Sequence, residues 1–146
     1  MRENVALTEL VAARHRSHRV RPDADTLLAD AGLTEWADRQ AGTLDYGNQR
    51  RLELARAAAL APDFLLLDEP TSGMSDQESQ AMVESVRSVA TRVGAGVLVI
   101  DHDLGFITRI SDHIVVLNEG RILAEGTPAA VRANPLVAEA YLGSSA

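Results

Sequence analysis

The sequence predicts an α/β protein in which parallel strands alternate with helices. Two short, fully apolar runs, Phe64–Leu67 and Val97–Ile100, have the length and composition of strands that are buried on both faces of a sheet. A helix-forming segment separates these runs, and a third apolar run follows at Ile114–Leu117. Strands that alternate with helices in this way are typical of a parallel sheet, because parallel neighbours need a crossover connection.

Composition limits the class of protein. The 146 residues, of which 46% are hydrophobic and 24% charged, suit one compact domain. The formal net charge of -7 argues against nucleic acid as a partner. The one basic stretch, residues 14–21, contains no Phe, Trp or Tyr for base stacking, so we interpret it as a solvated connection. Because no run approaches the roughly 20 apolar residues of a membrane span, we expect no direct insertion into a membrane.

The part of the chain before the first strand predicts helices only. A loose apolar stripe over residues 4–13 indicates the first helix. Asp23 is a candidate N-cap for a short second helix, and Gly32 is a candidate for its end. The alanine-rich run 48–61 predicts a strong third helix, which Pro62 ends.

Capping signals predict the helices between the later strands. Ser75 and Glu78 have the spacing of a capping box, which opens a helix that runs to about Val93. Residues 104–110 predict a further helix between the second and third apolar runs.

The end of the chain predicts a hairpin followed by helices. Residues 118–120 have turn chemistry, and residues 121–124 return as a fourth strand. Thr127 and Pro128 are an N-cap and a first helical residue, and a last helix covers residues 137–142.

The sharpest chemical signal lies where the first strand ends. Asp68 and Glu69 directly follow Phe64–Leu67, and the carboxyl ends of parallel strands are where open α/β sheets bind ligands. Two adjacent carboxylates suit metal-assisted phosphate chemistry, in which one holds Mg²⁺ and the other acts on the attacking water. The pair also fits an alternative in which both carboxylates are solvated in a polar loop.

Further segments on both sides of this pair extend the pattern. Residues 44–57 precede the strand, and residues 71–75 and 99–103 follow it. In this order they resemble the ATP-binding-cassette (ABC) transporter ATPases: a signature motif with its helix, a Walker B strand with its D-loop, and a switch-histidine loop. The end of the chain resembles the branched-chain amino acid importers of that family, through Gly126-Thr127-Pro128, Asn134-Pro135 and Ala140-Tyr141-Leu142-Gly143.

The resemblance implies a fold and a catalytic chemistry. It implies a helical lobe of the ABC type over residues 1–61 and the C-terminal half of a P-loop-NTPase (RecA-like) core over residues 62–146. Its cofactors would be ATP and Mg²⁺. Asp68 would hold Mg²⁺ through water, Glu69 would be the general base, and His102 would contact the γ-phosphate.

The resemblance also implies contacts to nucleotide and to partner chains. Two such domains sandwich two ATP molecules head to tail, and the N-terminus of the signature helix would point its amides at an anion. The expected partners are a second ABC ATPase subunit and transmembrane permease subunits. The expected location is cytoplasmic, peripheral on the inner face of the cell membrane. The remaining residues expected to contact nucleotide are Asp45, Tyr46, Gly47, Asn48, Ser72 and Gly73.

Two features depart from the family pattern. The glycine-rich phosphate loop, Gly-x-x-x-x-Gly-Lys-Ser/Thr, occurs nowhere in the sequence, so its cradle for the β- and γ-phosphates is missing. We expect a truncated gene product, a gene model begun at an internal Met, or one piece of a divided domain.

The second departure is Asp45, which stands where the family has a serine. A carboxylate facing a triphosphate is repulsive, by about 4 kcal/mol for unit charges about 4 Å apart at an effective dielectric near 20.

Two functional hypotheses follow. The first is a fragment of an ABC importer ATPase, which in intact form couples ATP hydrolysis to amino-acid transport and which alone is inactive. The second is a non-catalytic remnant of the same fold that binds a partner without ATP turnover. The missing loop and Asp45 favour the second for the isolated chain, whereas Glu69 and His102 favour recent descent from an active enzyme. Chromosome-maintenance ATPases fit poorly, because the sequence has no long heptad repeat.

Overall fold

The computed structural model describes residues 1–12 and 21–143, so the basic stretch lies outside the described residues except for Arg21. The α/β class is confirmed, with one parallel strand pair and one antiparallel hairpin. The chain divides into two compact units, Met1–Asp101 and His102–Ala146. No helix in the described ranges is long and apolar enough to cross a membrane.

The first unit begins with helices, as the sequence predicts. Asp23 caps the second of them, since its carboxylate accepts a hydrogen bond from the amide of Thr26 at 2.7 Å. Gly32, directly beyond that helix, has a φ of 70°, which glycine adopts without strain. The helices are α1 (Arg2–Ala12), α2 (Ala24–Asp30) and α3 (Tyr46–Ala58), with 3₁₀ turns at Thr34–Trp36 and Ala41–Thr43 between the last two.

The bounds of α3 differ from the predicted run 48–61. The helix begins at Tyr46, because the Asp45 side chain caps it. It ends at Ala58, and Ala61 has a left-handed φ of 49°. Pro62 disfavours the helical region for Ala61 only, and the helix ends three residues earlier than the alanine-rich run suggests.

A strand–helix–strand unit follows. β1 (Phe64–Asp68) and β2 (Gly96–Ile100) pair in parallel, with Leu66 opposite Leu98. They are connected by α4 (Asp76–Val93), whose predicted capping box between Ser75 and Glu78 is confirmed in both directions.

Helix α4 is fixed to the helical part by polar contacts. The Asp30 carboxylate accepts hydrogen bonds from Arg92 Nε at 2.7 Å and from the Ser88 hydroxyl at 2.9 Å. The bond from Arg92 is the main reason that the pKa of Asp30 lies below its usual range. The buried Ser85 hydroxyl donates to the carbonyl of Ala31 at 3.1 Å. These contacts join α2 to α4.

The second unit packs three helices against a hairpin. Its core contains the buried side chains of Ile114, Val116, Val131 and Val137. Thr127 caps the helix that follows the hairpin by accepting from the amide of Ala130. The elements are α5 (Leu104–Ile110), β3 (Ile114–Asn118), β4 (Arg121–Gly126), α6 (Pro128–Arg132) and α7 (Pro135–Gly143).

The prediction that the third strand continues a parallel sheet is wrong for the described residues. β3 pairs antiparallel with β4 in a separate two-stranded sheet. The turn between them has Glu119 at φ 48° and Gly120 at φ 76°. Two positive φ values in a two-residue loop match the twist of a hairpin, so β3 finds its partner locally.

The prediction that the first two strands are buried on both faces is also wrong for the described residues. Four apolar side chains lie on one face of the β1–β2 pair and are largely exposed, whereas Leu65 on the other face is buried. We call this surface the bare face. Parallel sheets are normally covered on both faces. The bare-face residues and their exposed fractions are Phe64 69%, Leu66 72%, Leu98 56% and Ile100 62%.

We expect the bare face to bind apolar dyes and to drive self-association of the isolated chain, because large exposed apolar patches associate. Replacing Leu66 and Leu98 by serine is expected to lower both dye binding and self-association. The matched control is Leu7→Ser, which removes an exposed leucine on α1. Dye fluorescence and analytical ultracentrifugation measure the two effects. A monodisperse, dye-negative parent chain would contradict the prediction.

Candidate functional site

The carboxyl ends of β1 and β2 form the edge where the predicted carboxylates lie. Asp68 is the last residue of β1 and pairs with Ile100 at the end of β2. Glu69 follows, and its amide donates to the Ile100 carbonyl at 2.7 Å. Both carboxylate residues are exposed. Parallel strand ends therefore present two adjacent acids to solvent at the edge where α/β sheets bind ligands.

Glu69 has an unusual backbone conformation. Its φ of 43° lies in the left-handed region, which few residues other than glycine adopt. Such a conformation costs on the order of 1–3 kcal/mol and persists only where the surrounding structure fixes it. The chain turns sharply after Glu69, and the Ser72 amide donates back to the Glu69 carbonyl at 3.2 Å.

The turn after Glu69 is tied to the end of β2 by a pair of residues to which the sequence analysis gave no role. Asp101 Oδ2 accepts from the Thr71 hydroxyl at 2.6 Å and from the Thr71 amide at 3.3 Å. Thr71 is buried and Asp101 is half-buried. A signal was available, since both residues lie just beyond the carboxyl ends of neighbouring strands. Their pairing depends on the strand register, which the sequence does not state.

The N-terminus of α3 is occupied by the side chain of Asp45. Asp45 Oδ1 accepts from the Asn48 amide at 2.8 Å, and Oδ2 accepts from Asn48 Nδ2 at 2.7 Å. Asn48 Oδ1 in turn accepts from an Arg51 guanidinium nitrogen at 2.5 Å. The anion at this helix end is therefore a side chain of the protein itself.

A second carboxylate lies close to the same helix end. A Cβ atom added to the buried Gly47 would lie 3.1 Å from Glu78 Oε1, so the two residues are in close contact. Hydrogen bonds from Ser75 lower the pKa of Glu78, with the side-chain bond the largest cause. Gly47 is therefore the point of α3 that lies against the Glu78 side chain, and a larger residue there would press on that carboxylate.

Tyr46 and Gly73 are brought together by the structure. A Cβ atom on Gly73 would lie 3.8 Å from the Tyr46 ring, and Gly73 has a φ of 76°. Arg50 donates to the Tyr46 hydroxyl at 2.9 Å, and its guanidinium lies 5.1 Å from the ring centroid. Tyr46 is thus held by its own helix and borders the turn that contains Ser72.

His102 belongs to the second unit, where it is exposed. It directly precedes Asp103, which caps α5 by accepting from the Phe106 amide at 3.0 Å. The histidine is therefore presented at the start of a capped helix.

The described residues suit part of a Mg²⁺–nucleotide site. They contain no cluster of three or more His, Cys, Asp or Glu side chains that could hold a metal. Mg²⁺ usually takes one or two protein carboxylates and completes its shell with water and phosphate, so Asp68 fits it in the presence of a nucleotide. The groove beside Asp68, lined by Arg50, Leu54 and Met82, encloses about 250 Å³. That is below the roughly 300–1,000 Å³ of common ligand pockets.

The architecture is that of an ATP-binding-cassette ATPase domain: helices, a signature-type helix, and parallel strands ending in adjacent carboxylates. A solved ATP-binding cassette of an ABC transporter superposes with a TM-score of 0.74 at 26% identity, over 96% of this chain and 61% of that one. A family profile described as "ABC transporter" matches residues 1–72, and one described as "Branched-chain amino acid ATP-binding cassette transporter" matches residues 121–146. The chain belongs to the ABC transporter ATPase family, whose members bind nucleotide.

Two curated relatives carry the same description, "High-affinity branched-chain amino acid transport ATP-binding protein". BraF of Pseudomonas aeruginosa is 46% identical over 118 residues, which are 81% of this chain and 46% of that protein. LivG of Escherichia coli K12 is 43% identical over 122 residues, which are 84% of this chain and 48% of that protein. The chain therefore spans about half the length of the curated relatives it matches.

Proposed function

We propose that this chain forms the hydrolytic part of an ABC importer ATPase and acts together with a segment that carries the glycine-rich phosphate loop. The observation that carries the proposal is the position of Asp68 and Glu69 at the end of a parallel strand pair. Metal-assisted phosphoryl transfer needs a carboxylate for the cation beside a group that orients the attacking water. Membership of the ABC family supports ATP hydrolysis as the reaction in which this pair acts.

Each carboxylate has a separate role in the proposal. Asp68 would hold Mg²⁺ through water, and the bound cation would supply positive charge to the phosphates. Glu69 accepts a hydrogen bond from the attacking water and takes its proton as the water oxygen bonds to the γ-phosphorus and the bond from that phosphorus to the leaving ADP oxygen breaks. Its exposure and its sharp turn away from β1 support this role, because the side chain is accessible to a water.

The signature helix and the turn after Glu69 contact the nucleotide of an opposite subunit in this proposal. The proximity of Tyr46 and Gly73 supports a shared surface. Gly47, Asn48 and Ser72 belong to the same surface, and His102 senses the γ-phosphate. Residues 1–61 act as the helical lobe and residues 62–146 as half of the nucleotide-binding core.

The proposed cargo is an amino acid. The two curated relatives are named for branched-chain amino acid transport, and the profile match at the end of the chain has the same description. Transmembrane permease subunits and a second ATPase subunit are the proposed partners. The proposed location is the cytoplasmic face of the membrane.

The test of this function supplies the phosphate loop. The full chain is assayed alone and fused behind the phosphate-loop segment of a family member, with MgATP binding by calorimetry and phosphate release as readouts. We expect no measurable turnover from the chain alone and ATP hydrolysis from the fusion. The control replaces the lysine of the supplied loop by alanine. A folded fusion that binds MgATP without hydrolysing it would favour the non-catalytic remnant instead.

A further inference from the structure

We propose that Thr71 and Asp101 form a positioning pair that holds Glu69 at the sheet edge, where it can act on a water. The pair does not touch the reacting atoms in this proposal. It rests on the proposed function only for the task of Glu69, because the contacts themselves belong to the fold.

The chain is attached to the end of β2 once before Pro70 and once after it. Before Pro70, the Glu69 amide donates to the carbonyl of Ile100 at 2.7 Å. After Pro70, Thr71 donates its hydroxyl at 2.6 Å and its amide at 3.3 Å to the carboxylate of Asp101. Ile100 and Asp101 are consecutive, so the end of β2 holds the chain at two points two residues apart.

Glu69 needs such attachments because its backbone is strained. A left-handed φ of 43° is uncommon for a residue with a side chain, and it relaxes unless neighbouring contacts oppose it. The Ile100 bond holds the chain before Pro70, and the bond from the Ser72 amide to the Glu69 carbonyl closes the turn. The attachment at Thr71 ties that turn to the end of β2.

The Thr71–Asp101 contact has the properties of a strong attachment. A hydrogen bond to an ionised carboxylate is stronger than one between neutral groups. Thr71 is only 7% exposed, so water replaces a lost bond poorly and the unpaired group is costly.

Displacement of Glu69 is expected to lower the rate of ATP hydrolysis rather than the affinity for MgATP. A general base acts only within hydrogen-bonding distance of its proton, and a small misplacement lowers the rate of the chemical step. Affinity for MgATP comes mainly from the supplied phosphate loop, whose backbone and lysine hold the phosphates, whereas the turn after Glu69 adds a smaller contact across the dimer. Loss of the positioning pair is therefore expected to lower kcat and leave the KM for MgATP unchanged.

The first test uses the chain alone and measures amide hydrogen exchange by NMR. Thr71→Val removes the hydroxyl and keeps the shape, and we expect exchange at the Glu69 and Ser72 amides to rise about tenfold, as for one lost hydrogen bond to a charged group. Asp101→Ala has the same effect, whereas Thr71→Ser keeps the parent rates. The backbone amides that form the hydrogen bonds between β1 and β2 serve as the internal reference. Unchanged Glu69 exchange in Thr71→Val, or an equal rise at the reference amides, would overturn the proposal.

The second test measures steady-state ATP hydrolysis by the fusion with the phosphate-loop segment. Thr71→Val is expected to lower kcat about tenfold at constant KM, and Thr71→Ser to restore it. A parallel change in KM, or a Thr71→Ser variant as slow as Thr71→Val, would count against positioning. A parent fusion that does not hydrolyse ATP refutes the proposed function, and the exchange experiment then decides the positioning pair by itself.

Discussion

Glu69→Gln is expected to remove nearly all ATP turnover from the fused protein while MgATP still binds. Glutamine keeps the size and the hydrogen bonds of glutamate but cannot take a proton from water. Loss of a positioned general base lowers the rate at least about 10²-fold. Because binding is retained and hydrolysis is not, the ATP-bound head-to-tail dimer should accumulate. Phosphate release, nucleotide trapping and size-exclusion chromatography measure the three effects.

The matched control for this variant is Glu84→Gln. Glu84 is an exposed glutamate on the surface of α4, so its replacement changes the net charge equally without touching the strand ends. Turnover of the control should equal that of the parent. If Glu69→Gln also turned over like the parent, Asp68 and Glu69 would be better explained as a solvated polar loop after a strand.

Local signals were sufficient to predict most helices and strands of this chain. Three helix starts are indicated by groups that lie within four residues of one another, and all three are confirmed. They are the Ser75–Glu78 capping box, the Asp23 cap and the Thr127-Pro128 pair. Asn118-Glu119-Gly120 specifies a hairpin for the same reason. Such signals can be interpreted correctly because the interacting groups are close in sequence.

Features that depend on distant residues were not predictable. The apolar runs at β1 and β2 indicate strands suited to burial on both faces, and with part of the sheet missing they predict an exposed apolar patch. That Leu66 and Leu98 belong to this patch could not be predicted, because burial of each side chain depends on what else covers the sheet. The contact between Thr71 and Asp101 joins positions 30 residues apart and needs the strand register. Pro62 indicates that α3 ends before the proline, but it does not specify that the last helical residue is Ala58.

The candidate site was predicted unevenly for the same reason. Asp68 and Glu69 could be named from a strand followed by two acids. Asp45 is a residue type that caps helices, and its bond to Asn48 spans only three positions, so the start of α3 has a local signal. The approach of Glu78 to Gly47 brings together α3 and α4, and no short-range pattern indicates it. The presence of two carboxylates, Asp45 and Glu78, at the N-terminus of α3 therefore emerged only from the structure.

Asp45→Ser is expected to raise the turnover of the fused protein. Asp45 and the nearby Glu78 place two carboxylates at the end of α3 that the proposed function directs at a triphosphate. Removing one charge relieves a repulsion of about 1 kcal/mol in a water-like environment, or roughly fivefold in rate, and more in a drier interface. Serine is as good an N-cap as aspartate, so the helix is retained.

The salt dependence and two further variants identify the cause of this gain. Repulsion between exposed charges is screened by salt, so the advantage of Asp45→Ser should shrink as ionic strength rises. Asp45→Asn removes the charge while preserving the cap, and it should act in the same direction. Asp112→Ser changes the net charge equally at an exposed position in the second unit, and it should leave turnover unchanged. The initial rate of ATP hydrolysis is measured for all three variants at low and at high salt concentration. If Asp45→Asn stayed as slow as the parent while Asp45→Ser was faster, the serine hydroxyl rather than the lost charge would explain the gain.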